Sequence, residues 1–327
     1  MTEFVLETQG LTKFYGGKAA VDHIDLKIPR GCICGFVGRN GSGKTTAIKL
    51  MLGFLKPTAG SSRLLGCDSQ NLTPAIRQRI GYVAEGHRLI RWITIAEIAK
   101  FQSAFFHEQP ASAKQGEAGL ATAEPGVAGW DSKFFWDMIE YFDLPKKQKI
   151  KHLSNGQRAQ VSLALTLAPN PELLIMDDPT LGLDAAIRRQ FLEGMIELIM
   201  RQGRTILFSS HILGDIERVA DKIVVIEKGA IRADCSLEQF RTAVKKVKVV
   251  FGQASPEKID IEGLLHSRRY DKELELVLVG TADEKIAEWA KSSGATDYQT
   301  INMNLEDQFI EYTASTRQTK PFKWEEI

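Results

Sequence analysis

The sequence predicts an α/β protein: a mixed, mostly parallel sheet followed by a small C-terminal α/β appendage. Three observations carry this expectation. Short apolar runs alternate with helical patterns from residue 33 to residue 228. A glycine-rich turn joins a strand to a helix at residues 38–46, and the pattern changes near residue 240. Strands separated by helices pair in parallel, because each crossover helix covers one face of the sheet.

Residues 3–36 alternate in strand fashion through "EFVLETQGL", "AAVDHIDLKI" and "GCICGFVG", with "YGGK" and "IPRG" as turns. After Gly43 a helix is expected, with Ile48, Met51, Leu52 and Leu55 at helical spacing, and "KPTAG" ends it. A strand, "RIGYVA", follows near residue 80. Residues 92–106 and 133–143 read as helices. Between them, residues 107–130 are rich in Ala, Gly, Glu and Pro and are expected to form a flexible, solvated surface insertion. Helix "QRAQVSLALTLA" leads to a strand at 173–177, helix 185–201 to "TILFSS", and helix 212–220 to "KIVVIEKG". In the appendage, "VKKVKVVFG", "LELVLVG" and "TDYQTINM" read as strands. "TADEKIAEWAKSSG" reads as a helix with Thr281 as N-cap and Gly294 as its stop, and "NLEDQFIEYTAS" as another.

Length and composition narrow the classes. A chain of 327 residues allows two domains, and 43% hydrophobic with 25% charged residues is ordinary for a globular protein. The formal net charge of +1 and the shortness of "VKKVKV" give no sign of a nucleic-acid partner. The opening "MTEFVLETQG" lacks the features of a secretory signal. No apolar run reaches the ~18 residues of a membrane-spanning helix, so a membrane role needs a separate partner chain. The cysteines are Cys32, Cys34, Cys67 and Cys235. Cys32 and Cys34 are expected as small buried side chains in a reducing compartment, because no second close pair completes a metal set.

The chemistry concentrates in four stretches. "GRNGSGKTT", Gly38 to Thr46, matches G-x-x-x-x-G-K-[ST] between a strand and a helix. Its glycines, Gly38, Gly41 and Gly43, let the backbone N–H groups around Asn40, Ser42 and Thr46 approach phosphate. Lys44 is expected to reach β- and γ-phosphates, and Thr45 to hold Mg²⁺ through its hydroxyl. "LLIMDDPTLGLD" delivers two acids at the end of an apolar strand; Asp177 suits a magnesium ion. "LSNGQ" carries a capping box, Ser154 with Gln157, ahead of a helix. "SSH" ends at His211.

In this order these stretches resemble the ATP-binding cassette (ABC) ATPases over roughly residues 3–235. The resemblance implies a P-loop NTPase cassette at 1–238, with an antiparallel β subdomain and a helical subdomain at about 86–165, and an accessory domain at 239–327. It implies ATP and Mg²⁺ as ligands. Two cassettes, identical copies or paralogues, would pair head to tail. Ser154, Asn155, Gly156 and Gln157 of one would then meet the nucleotide in the other. Tyr15 matches the aromatic that stacks on adenine; a packed core tyrosine is the alternative. His211 matches the γ-phosphate contact, and Asp184 the loop that communicates between paired sites. A separate transmembrane permease would hold the chain at the cytoplasmic face of the membrane. Leu89, Ile90 and Trp92 would form an apolar docking patch rimmed by Arg88 and Arg91; inward packing of an amphipathic helix is the alternative.

Three residues depart from the family pattern. Asn155 stands where Gly is usual, and Glu85 stands where many members have Gln, a variant similar to the export-type (ABC-2) branch. Asp178 stands where Glu usually orients the attacking water. The expectation is therefore an ATPase subunit of an exporter, with Lys44, Thr45, Glu85, Asp177, Asp178 and His211 carrying the cycle. The alternatives are a nucleotide switch uncoupled from transport, and a cassette that hydrolyses slowly because Asp178 is about 1.5 Å shorter in reach than Glu.

Overall fold

The structure, a computed structural model, describes residues 3–106, 129–200 and 204–315, without the side chains of residues 194–200 and 315. The described residues fall into two compact units, one within 1–211 and 228–230, the other within 212–227 and 231–327.

The first unit opens with β1 (Phe4–Tyr15) and β2 (Lys18–Pro29), an antiparallel hairpin in register from Phe4↔Pro29 to Tyr15↔Lys18. Its turn is Gly16-Gly17, both at positive φ, which glycine adopts without a Cβ clash. Next come β3 (Ile33–Val37), α1 (Lys44–Met51), β4 (Ala59–Leu64), β5 (Cys67–Asp68), α2 (Pro74–Gln78) and β6 (Ile80–Val83). Three helices follow: α3 (Ile95–Ser103), α4 (Ser132–Tyr141) and α5 (Asn155–Leu167). β7 (Leu173–Asp177), α6 (Ala185–Met200) and β8 (Thr205–Ser210) complete the unit's main elements.

Two sheets result. One is antiparallel, in the order β2-β1-β4-β5. In the other, β3, β8, β7 and β6 lie side by side and run parallel. Every residue of β3, β7 and β8 is buried, which explains why these strands read as near-continuous small and apolar runs. Glu172, buried just before β7, accepts hydrogen bonds from Arg30 and Arg79. Burial pushes its pKa up, but the two guanidiniums outweigh that and hold the carboxyl below its usual range. This pairing pins the chain where it enters three parallel strands.

All four parallel strands end at one edge. Val37 lies beside Ser210, Asp177 beside Ser209, and Val83 beside Met176. The loops that leave this edge begin at Gly38, Ala84, Asp178 and His211. Ligands of open parallel sheets bind there, outside the carboxyl ends of the strands.

Local chemistry moves some boundaries. The helix expected from 92 begins at Ile95, because Thr94 and Glu97 form a capping box there. Residues 107–128 of the expected insertion lie outside the described residues. Its last residue, Trp130, is 3% exposed and packs near Phe106 and Phe135, so it belongs to a core. Cys34 is buried, and Cys32 is half-buried.

The second unit contains α7 (Leu213–Glu217), β9 (Lys222–Glu227), β10 (Ala230–Ser236), α8 (Leu237–Ala243) and β11 (Val244–Phe251). It continues through β12 (Leu264–Tyr270), β13 (Glu273–Val279), α9 (Asp283–Ser292), β14 (Ala295–Ile301) and α10 (Leu305–Ser315). An antiparallel sheet runs β12-β13-β11-β14. Val247, Val249, Leu274, Leu276 and Leu278 line one face and form a core with Ile286 of α9. From the rest of the sheet, Lys246 and Arg268 pair with Glu311 of α10. Thr281 does not cap α9: Ala282 is the N-cap, and the Thr281 hydroxyl donates to the Glu262 carbonyl. Gly294, at φ 80, follows the helix end as expected.

Candidate functional site

The strand β3 is too short to continue past Val37, and the glycines after it allow a tight loop back to α1. Gly43 is the N-cap at φ 108, and a Cβ there would lie 2.4 Å from the Ala20 carbonyl oxygen, so no other residue fits. With no side chain capping α1, the N–H groups of Lys44, Thr45 and Thr46 are left to an outside acceptor. The helix dipole adds positive potential at the same point. Ser42 is buried, and its hydroxyl has no partner. Its carbonyl accepts from Gly229 N at 2.8 Å.

This loop floors a cleft of about 740 Å³. Of the sequence-predicted residues, the cleft brings together Tyr15, Asn40, Gly41, Ser42, Gly43, Lys44, Thr45, Thr46, Glu85 and Asp178. Tyr15 is half-exposed at its rim, which rules out the core reading. Gly38 contributes through its carbonyl, which accepts from Lys44 Nζ at 2.7 Å. Lys18 and Lys228 also line the cleft, although no sequence motif pointed to them. The turn "KG", Lys228-Gly229, was the available signal, since Gly229 N meets the Ser42 carbonyl.

Behind the loop stand the two acids. Asp177 is fully buried. Its Oδ1 accepts from Ser209 Oγ at 2.9 Å and Thr45 Oγ1 at 3.2 Å, while Oδ2 has no partner. Burial raises its pKa; the hydroxyls of Ser209 and Thr45 oppose this, and the charges of Asp178 and Glu85 add to it. Burial, and after it the charges of Asp177 and Glu85, push Tyr82 up to about 12. Asp178 takes a left-handed backbone, φ 43, which Asp tolerates better than most residues. Its Oδ1 accepts from His211 N at 3.2 Å and lies 2.9 Å from His211 Nδ1. Its Oδ2 is 3.8 Å from Lys44 Nζ. The shorter acid therefore spans from His211 to the lysine.

Ser154, Asn155, Gly156 and Gln157 start α5 and do not line this cleft. Ser154 and Gln157 form the expected capping box. Asn155 accepts from Arg158, and Gly156 is buried where a Cβ would sit 2.7 Å from Ile187 Cγ2. Asp184 is exposed, and its Oδ1 accepts from Ala186 N and Ile187 N at the start of α6. Trp92 is 73% exposed, Leu89 and Ile90 are half-buried, and Arg88 and Arg91 are exposed. They precede α3 in non-helical chain, so the amphipathic-helix reading does not apply.

Sequence reasoning passed over one more residue. His87 is buried at φ 45, with Nε2 2.9 Å from the Pro179 carbonyl. Burial lowers its pKa; the carbonyl contact opposes this and Arg158 adds to it.

A strand–loop–helix with a lysine at its start, backed by paired acids at the end of another parallel strand of the same sheet, defines a P-loop type of α/β fold. The family model described as "ABC transporter" matches residues 21–181. The chain is 28% identical over 324 residues to the ABC transporter ATP-binding protein YdbJ of Bacillus subtilis (strain 168), covering 96% of this chain and 97% of that one. It is 31% identical over 245 residues to the bacitracin transport ATP-binding protein BcrA of Bacillus licheniformis, covering 74% and 73%. Further relatives are named for Nod factor export and for daunorubicin/doxorubicin resistance. The fold matches a dimeric ATP-binding cassette in a post-hydrolysis state bound to ADP and Pi, with a TM-score of 0.58 and 23% identity over 71% of this chain and 98% of that one. The chain belongs to the ATP-binding subunits of ABC transporters.

Proposed function

We propose that this subunit hydrolyses Mg-ATP in the cleft and powers export through a separate transmembrane permease, at the cytoplasmic face of the membrane. One observation carries the reading: Asp177 Oδ2, buried and without a partner, beside Thr45 and the uncapped start of α1. A buried carboxylate oxygen is costly until a cation or donor completes it. Thr45 and Asp177, with Glu85 at the rim, would hold Mg²⁺; this ion takes one or two carboxylates and leaves its other positions to phosphate and water. When bound, it neutralises charge on the β- and γ-phosphate oxygens.

The chain's own residues supply the rest. Lys44 exchanges the Gly38 carbonyl and Asp178 for phosphate oxygens. Gly38, Asn40, Gly41, Ser42, Gly43 and Thr46 shape the phosphate cradle, and Tyr15 stacks on adenine. Asp178 orients the attacking water and takes its proton, while His211 fixes that carboxylate. A second cassette, a copy or a paralogue, presents its Ser154, Asn155, Gly156 and Gln157 to the nucleotide, and Asp184 relays between the two sites. The permease docks near Trp92, Leu89 and Ile90, with Arg88 and Arg91 at the rim; no nucleic acid takes part. Residues 1–238 act as the cassette and 239–327 as an accessory domain. Export is supported by the relatives' names and by Glu85 in place of the usual Gln.

The test is phosphate release by the purified chain with ATP, with Mg²⁺ or with a chelator. Turnover is expected with Mg²⁺ only, and Lys44→Ala should abolish it. With Asp178→Asn, ATP should drive monomers into dimers in sedimentation, and the native complex should bring down a polytopic membrane protein. Turnover that survives Lys44→Ala, or ATP that never pairs the cassettes, overturns the reading.

A further inference from the structure

We infer that His87 is a positioning residue that sets the aim of Asp178, an inference that rests on the functional reading above. His87 leaves the loop after β6, two residues past Glu85, and is 4% exposed. Its Nε2 lies 2.9 Å from the carbonyl of Pro179, the residue directly after Asp178. A carbonyl only accepts, so Nε2 carries the proton and donates. The bond joins residues 92 apart in sequence and ties the loop leaving β6 to the loop leaving β7.

The tie matters because Asp178 has little slack. The carboxylate sits on a backbone at φ 43, outside the region most residues prefer. Other contacts hold it: its N–H donates to Ser209 Oγ at 2.9 Å, its carbonyl accepts from Leu181 N at 3.1 Å, its Oδ1 meets His211 N and Nδ1, and its Oδ2 lies 3.8 Å from Lys44 Nζ. These come from β8, the residue after it, the following turn and the start of α1. The His87 bond is the one that arrives from the loop bearing Glu85 and, five residues on, the exposed Trp92. A side chain as short as Asp cannot correct for a shifted peptide by extending. The bonded carbonyl belongs to the 179–180 peptide, and the proline ring fixes φ at 179, so a shift of that peptide is passed back to Asp178 and displaces the carboxylate; a misplacement of ~1 Å costs on the order of 100-fold in rate. Movement of the Glu85–Trp92 loop is thus transmitted to the acid through one imidazole.

Two variants separate positioning from mere support. His87→Phe fills the space without a donor; His87→Gln restores an amide N–H at similar reach. Steady-state ATPase, nucleotide titration and thermal unfolding are measured for each. His87→Phe is expected to lower kcat roughly 10- to 100-fold. KM and nucleotide Kd should stay within about twofold, the mark of an interaction acting after binding. His87→Gln should recover most of kcat. In an Asp178→Asn background, His87→Phe should cost nothing further, because its effect passes through that carboxylate. Unchanged turnover in His87→Phe, a His87→Gln variant as slow as His87→Phe, or a further loss in the Asp178→Asn background each overturns the inference. Wild-type protein that binds nucleotide without turning it over removes the functional reading, and this inference with it.

Discussion

Asp177→Asn should make the nucleotide-free protein more stable while disabling it. In the wild type, Oδ1 is satisfied by Ser209 and Thr45, but Oδ2 is buried with no partner. The charges of Asp178 and Glu85 also bear on it. The amide keeps the Oδ1 contacts through its own oxygen, removes the charge, and puts an NH₂ group where the unpartnered Oδ2 lay. An unsatisfied buried polar group costs ~1–3 kcal/mol, more when charged. Leaving part of the amide unpaired offsets some of that, so a net gain of about 1–2 kcal/mol is expected. For a unit of this size each kcal/mol moves Tm by about 2–4 °C, giving a rise of roughly 2–8 °C. The pH sign follows from the raised folded pKa. Below the ordinary Asp value both states are protonated and the wild type carries no charge penalty. As pH rises to the raised folded value the penalty develops, and above it stays constant. The assay is thermal unfolding of both proteins in chelator at pH 7.5 and at successively lower pH. The gap in Tm should be full at pH 7.5 and shrink as pH falls toward the ordinary Asp range. With Mg-ATP at ~100 times Kd the wild type should gain ~2.7 kcal/mol and overtake the variant. A variant that melts at or below wild type in chelator at pH 7.5, or a gap indifferent to pH, refutes the reasoning.

Two further expectations rest on different features. Asp178→Glu should not accelerate turnover: the added methylene carries the carboxylate about 1.5 Å beyond the positions it now takes against His211 and Lys44, so a loss on the order of 10- to 100-fold in kcat is expected, and a faster variant in the same phosphate-release assay contradicts it. Glu172→Gln should destabilise the first unit by about 3 kcal/mol, the low end for a broken buried pair because both guanidiniums are about a third exposed; urea unfolding checks this. Because the folded pKa of Glu172 is depressed, its contribution is present above the ordinary Glu value and lost as pH falls through the folded value, so the gap between wild type and Glu172→Gln should narrow in acid.

What could be read from the sequence follows how local the physics is. The loop from Gly38 to Thr46 was legible because strand, glycines and helix sit within a dozen residues. β7 was legible because both of its faces are buried. β12 was missed: "LLHSRRY" shows no alternation, because this edge strand borders β13 alone and leaves Arg269 and Tyr270 exposed. α8 was missed although its capping box, Ser236 with Gln239, has the same spacing as the one recognised at Ser154. Trp130 read as the tail of a polar segment because its packing against Phe106 and Phe135 depends on chain geometry across a gap in the pattern. His87 has no signature at all: its partner is a backbone carbonyl 92 residues away, and any residue type could have stood opposite Pro179.

Several features that break local rules in the first unit lie at one edge of its parallel sheet. Asp177 is a buried acid lacking a partner on one oxygen, and Ser42 is a buried hydroxyl lacking one altogether. Asp178 and His87 both hold left-handed backbones, and the charges of Asp178 and Glu85 both act on Asp177. Each departure carries a local cost, and well-packed β3, β7 and β8 supply the surroundings that sustain it. The costs share a chemistry. A divalent cation satisfies the acids, and a phosphate satisfies the free N–H groups, Ser42 and Lys44. Neither alone suits the edge, since phosphate without the cation adds negative charge beside three acids. If the cleft takes the pair as proposed, magnesium and nucleotide should bind with positive coupling, each relieving the repulsion that the other meets.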